Sequence, residues 1–179
     1  ATWAARIADR IDELRAAHRW ACANDADLAV RQAAALAGYA RLRMRFELQE
    51  WAATAAALPG ATGHPLRSSA LASAAGGAWA RGDFARAASL ARQGLAAAPE
   101  GDPLAADPLV VLGDVALLEG RFAEAAERYA TAAGLARDTD PQVLCEAMGS
   151  QAIALSYQGE AASALRLADA AVRVARSAG

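Results

Sequence analysis

The stretch "LLEGRFAEAAERY", Leu117 to Tyr129, joins the end of one apolar helical pattern to the start of another. Gly120 stands at the joint, Phe122 follows two residues later, and the small residues Ala125 and Ala126 come one helical turn after that. A glycine there suits the left-handed backbone that ends a helix, where a side chain would clash. The aromatic residue is expected to wedge between the two helices, and the alanines to let their backbones close up.

The unit recurs. "ARGDFARAASLA" runs from Ala80 to Ala91 and "YQGEAASALRLA" from Tyr157 to Ala168. The turn glycines Gly82, Gly120 and Gly159 are 38 and 39 residues apart, and one further step of 38 back from Gly82 reaches Met44, with Phe46 in the aromatic place. Each unit reads as two antiparallel helices. One such pair cannot bury its apolar face alone, so neighbours must stack. Breaks mark the boundaries: "LPGATGHP" at Leu58–Pro65, "AAAPEGDPLAADP" at Ala96–Pro108, and the pairs Asp107-Pro108 and Asp140-Pro141, each read as an N-cap acid before a first-turn proline.

Composition agrees with an all-helical chain. The hydrophobic fraction of 55% is dominated by alanine, the best helix former, and prolines number six. All 18 basic residues are arginine and the net charge is −2. No basic stripe offers itself to phosphates, so direct nucleic-acid binding is not expected. No long uncharged apolar run predicts a membrane span and no leader is visible, which points to a cytoplasmic setting. The start "ATWAARIADR", without an initiator methionine, reads as a cut from something longer.

The signature residues resemble those of the tetratricopeptide repeat. In the third unit Leu109, Leu112, Gly113, Ala116, Gly120, Phe122, Ala125, Tyr129 and Ala132 match the family's positions; the second keeps Leu71, Ala75, Ala78, Gly82, Phe84, Ala87 and Pro99, with Ala91 and Gly94 weakening its second helix. The fourth has Ala161 for the aromatic, and the first has Met44 for the glycine and Gln49 for the packing alanine. The resemblance implies a right-handed α-α superhelix of about four helix pairs plus a leading helix. The expected organisation is a leading helix within 1–25 (Arg6 to Asp25), then repeats over 26–61, 66–99, 106–138 and 140–179. The order of segments over roughly the first 100 residues also resembles the C-terminal repeat region of actinobacterial signalling ATPases of the STAND type and of LuxR-type transcriptional regulators. That likeness implies a sensor region that binds a ligand or protein and restrains or releases effector domains of a longer chain. With no lysine present, this segment holds no phosphate-loop lysine of its own.

Chemistry is sparse. His18 is expected in a solvated or capping role, His64 exposed in its loop, and Ser68-Ser69 initiating a helix. Cys22 and Cys145 are read as buried reduced thiols, with a disulfide or metal pair as the alternative. No catalytic set, metal or cofactor is predicted, so the segment is read as non-enzymatic. The family's first helices line a concave groove. By position this puts Arg31, Ala34, Gly38 and Arg41 there in the first unit, then Ser69, Ala72, Gly76 and Trp79, then Val110, Asp114 and Leu117, then Glu146, Gly149, Ile153 and Ser156, with Tyr157 beside it. The predicted ligand- or partner-binding residues are Arg31, Arg41, Trp79, Asp114, Glu146 and Tyr157. Arg31 and Arg41 would clamp a carboxylate or phosphate while an apolar part stacks on Trp79. The bland alternatives make Trp79 a space filler beside Gly76 and Gly77, "RLRMR" (Arg41–Arg45) a solvated helix end, and Asp107 a cap. A free-standing adaptor that scaffolds protein partners is the second functional reading, and an enzyme on a helical solenoid the third.

Overall fold

The computed structural model describes residues 2–178, and among them every regular element is helical. In chain order these are α1 (Trp3–Asp9), α2 (Ile11–Asn24), α3 (Ala26–Leu42), α4 (Phe46–Ala57), α5 (Arg67–Ala80), α6 (Phe84–Ala97), α7 (Ala106–Leu118), α8 (Phe122–Ala136), α9 (Pro141–Tyr157) and α10 (Ala161–Ala178). Single 3-10 turns at Pro59–Ala61 and Pro103–Ala105 interrupt the two proline-bearing connections.

The four joints close alike. Gly82, Gly120 and Gly159 have φ of 80°, 77° and 83°, and Met44 takes φ 50°, the one non-glycine residue with positive φ among those described. The residue after each joint donates its N–H to a carbonyl five residues back: Arg45 to Ala40 at 2.8 Å, Asp83 to Ala78 at 3.0 Å, Arg121 to Ala116 at 2.9 Å and Glu160 to Leu155 at 3.0 Å. This is the six-to-one bond of a Schellman end, which satisfies an orphan carbonyl and reverses the chain in three residues. Met44 adopts the same geometry against the clash of its Cβ.

The aromatic at the joint does not wedge within its own pair. Phe122 stacks on Tyr157 of the following unit, rings 4.9 Å apart and nearly parallel, and Phe46 lies beneath the Arg81 guanidinium at 5.5 Å. Phe46 and Phe122 therefore tie one joint to the next, while Phe84 keeps 42% of its surface exposed. The reason is space: the interface between α5 and α6 is lined by alanines such as Ala78, Ala87 and Ala91, which leave little room for a ring.

Each helix from α2 onward packs on its successor, and α3, α5, α7 and α9 also pack in a row on one another. The apolar interior is accordingly a chain of clusters. Ala4, Leu36, Tyr39, Ala40 and Leu48 form the first. Ala21, Val30, Ala52, Ala70 and Leu71 belong to the next, Ala75, Ala87, Val111 and Val115 to a third, and Val110, Tyr129, Val143 and Leu144 to the last. Gly113 permits the closest approach: a Cβ there would stand 2.5 Å from the Tyr129 ring, which is wholly buried.

Three local expectations are corrected. The leading helix is two helices broken at Arg10 (φ −109°, ψ 14°), although no glycine or proline marks the place. The break lets Ala4 of α1 join Tyr39 and Leu48 while Ile11 and Leu14 of α2 pack on the same cluster. Asp140 caps α9, accepting from the N–H groups of Gln142 and Val143 at 3.0 Å, but Asp107 is no cap. Asp102 caps the preceding 3-10 turn instead, so α7 starts at Ala106 and Asp107 lies inside its first turn. Ser68 does not start α5: its buried hydroxyl donates to the Leu104 carbonyl at 3.1 Å, linking the second unit to the third.

Replacing Met44 by glycine removes a left-handed side chain that is exposed and packs little. Met44→Gly is expected to stabilise the fold by about 0.5–1 kcal/mol, read as a higher urea midpoint with an unchanged slope.

Candidate functional site

Numbering each first helix back from its joint defines sequence rows along α3, α5, α7 and α9, which pack one on the next. Thirteen residues before the joint stand Arg31, Ser69, Asp107 and Glu146; three residues before it stand Arg41, Trp79, Leu117 and Ser156. Asp107 thus occupies the register of Arg31 and Glu146, a signal present in the sequence but masked by its place before a proline.

The structure joins the two rows. Arg41 Nη1 donates to Asp107 Oδ1 at 2.8 Å and to Glu146 Oε2 at 3.0 Å, contacts that span 66 and 105 residues. One guanidinium of the first unit is therefore shared between carboxylates of the third and fourth. All three side chains keep partial solvent contact, 31% for Arg41, 39% for Asp107 and 38% for Glu146. The acids are crowded by protein on several sides and open to water on one. Burial raises both carboxyls above the ordinary range; Arg41 opposes the rise, and the charge of Asp140 adds to it at each.

Asp114 lies one further row inward, six residues before its joint. Its Oδ1 accepts from the buried Tyr129 hydroxyl at 2.7 Å. Burial pushes this carboxyl up to about 7, the neighbouring Glu146 adds to the shift, and the tyrosine hydrogen bond opposes it. Burial, then the Asp114 charge, raises the Tyr129 phenol in turn.

Other predicted residues fare differently. Arg31 is exposed and bound by Asp27 of its own helix at 2.6 Å. Ten residues separate it from Arg41, about 15 Å along the axis, so the two arginines form no common clamp. The run Arg41–Arg45 is no plain solvated end, since Arg41 is engaged across the units. Trp79 is half-buried against Ala75, Ala78 and Val111, with its indole N–H unpartnered. Tyr157 is exposed and held flat on Phe122. Ala72 and Val110 are buried and line no open surface.

Both histidines are corrected as well. His18 is buried and stacked on Trp51 at 4.9 Å; Nδ1 faces Gln32 Oε1 at 3.2 Å and Nε2 faces Cys22 Sγ at 3.3 Å. Gln32 Nε2 donates to the Leu14 carbonyl, which sets its Oε1 as acceptor and so makes His18 Nδ1 the protonated nitrogen. Burial lowers the imidazole and raises the Cys22 thiol, so this pair stays neutral. His64, expected in solvent, has a side chain only 6% exposed, with Nε2 3.1 Å from Asp27 Oδ1 while Nδ1 accepts from the Leu66 N–H. Cys22 and Cys145 are free thiols, each partly buried. Among the described residues no group of three or more His, Cys, Asp or Glu side chains is placed to hold a metal ion, and no helix is long and apolar enough to cross a membrane.

Comparison with protein-family models and with curated proteins finds no match to this chain.

Asp114 makes stability depend on pH with a definite sign. An unfolded aspartate titrates near 3.9, so between about pH 4 and 7 the folded state holds a proton that the unfolded chain has lost. Stability contributed by this group is present below that window and falls as pH rises through it. Asp114→Asn keeps an acceptor for Tyr129 and cannot ionise. It is expected to be more stable than the native chain at pH 8 by about 1–2 kcal/mol, with a shallower decline from pH 5 to 8 in thermal melts.

Proposed function

We propose that the chain is a non-enzymatic recognition module of the tetratricopeptide type: a right-handed solenoid of four helix pairs, with α3, α5, α7 and α9 lining a concave binding face. In this reading it is the sensor region of a larger bacterial signalling ATPase or transcriptional regulator and acts in the cytoplasm. The observation that carries the reading is the linkage of Arg41, Asp107 and Glu146. It supports the reading because side chains of the first helices of three units, far apart in sequence, meet at one place, as they would on a shared face.

The charge of that face selects the occupant. Asp107 and Glu146 outnumber Arg41, so the face favours a segment bearing an ammonium or guanidinium group over the carboxylate or phosphate suggested by two arginines. Half-buried Trp79, one unit along from Arg41, supplies an apolar flank, its indole N–H enclosed by protein.

Fluorescence anisotropy with a labelled arginine-containing hexapeptide set and its glutamate counterparts tests the binding reading. The expected result is binding by members of the arginine set, weakened about tenfold or more in the Asp107→Asn/Glu146→Gln variant and unchanged in Arg166→Ala. Equal binding of acidic and basic peptides removes the charge assignment. An immunoblot of source cells tests the sensor reading: a band several times larger than this 179-residue chain is expected, and one of its own size overturns it.

A further inference from the structure

We infer that Arg41 is a clasp: its guanidinium, held between Asp107 and Glu146, ties the first unit to the third and fourth across α5 and sets how far the inner face stands open. The clasp is independent of the binding reading, since it concerns the shape of the free chain.

One helix stands between the charges. α5 packs on both α3 and α7, so it separates the arginine's helix from the first acid's. The residue of α5 in register with Asp107 is Ser69, which offers no charge. The nearest carboxylates in that row belong to the third and fourth units, and Arg41 reaches both. A Cβ added at Gly76 would meet nothing within 4 Å, so no side chain of another helix, Arg41's included, lies against that position of α5.

Among the described residues, the other polar and aromatic links between units join neighbours in sequence. Glu50 of α4 holds Arg81 and Arg86, Ser68 reaches Leu104, and Phe122 stacks on Tyr157. Stacked repeats connected only to their neighbours flex cumulatively, because small rotations at each interface add along the array. A contact between the first unit and the fourth constrains the sum of those rotations, which no neighbour contact does. One charged group placed at long leverage therefore governs the aperture of the whole face.

The clasp is also releasable. Ion pairs with this degree of solvent contact are weak and are screened by salt, in contrast to the alanine interfaces around them. Opening it exposes Asp107 and Glu146 together.

Distance measurement between spin labels decides the matter. Labels go on cysteines replacing exposed Thr54 of α4 and exposed Arg173 of α10, with Cys22 and Cys145 changed to alanine. At low salt the clasped chain is expected to give one narrow distance distribution. Arg41→Gln shifts it longer and broadens it, and Asp107→Asn/Glu146→Gln does the same. The triple variant adds nothing further, as required when both changes break one interaction. Raising sodium chloride to about 1 M reproduces the shift in the otherwise native chain, where screening is nearly complete. An unchanged distribution in Arg41→Gln and at high salt overturns the inference, and so does an additive triple variant. Should Arg41→Gln lose its helical circular dichroism, the salt titration decides by itself: a shift supports the clasp and its absence ends it.

Discussion

One residue per unit must enter the left-handed region, and the remaining architecture follows from that constraint. At Gly82, Gly120, Gly159 and Met44 the positive φ brings the next N–H back to a carbonyl five residues earlier, ending one helix and aiming the next antiparallel to it. Because the same bond forms four times at nearly constant spacing, the helices emerge as equivalent pairs. Met44 shows the geometry is imposed by packing as well as permitted by residue type: α3 and α4 close on Tyr39, Ala40 and Leu48 firmly enough to hold a side chain where glycine belongs.

Alanine supplies the second layer of the structure. Short side chains place most of the stabilising burial at small separations between helices, so apolar contacts are shared over many weak contributions and few large side chains. Tyr129 is the exception, filling the space that Gly113 leaves and anchoring its hydroxyl on Asp114. A hydrogen bond to a carboxylate in that position ties a packing residue to the titration of Asp114 on α7. The larger aromatics, excluded from the alanine interfaces, work between joints, and the charged residues work between helices that are remote in sequence.

Much of the architecture was legible. Helix pairs, joints, proline breaks and the Asp140 cap all depend on residues within a few positions of one another, and such signals survive in a linear reading. The register of the inner rows was legible in principle too, since Arg31, Ser69, Asp107 and Glu146 share one offset from their joints. At Asp107 a local rule, acid before proline, competes with the periodic one and hides it. The Pro103–Ala105 turn settles that contest by starting α7 earlier. His18 and His64 escape a linear reading for a related reason: solvent exposure of a lone histidine depends on Trp51, Gln32 and Asp27, none of them near in sequence.

By itself, then, the sequence determined the four joints and most helix ends, though neither the break at Arg10 nor the start of α7, because backbone conformation and hydrogen bonding are largely settled over one or two turns. It also placed Arg41, Asp114 and Glu146 on the first helices of their pairs, which belong to one packed row. Only the tertiary structure decided that Arg41 bridges Asp107 and Glu146 while Arg31 stays with Asp27. Pairing among charges is set by distances in space, and those depend on how closely and at what angle the helices pack. That packing is the sum of many alanine contacts, so no single residue states it.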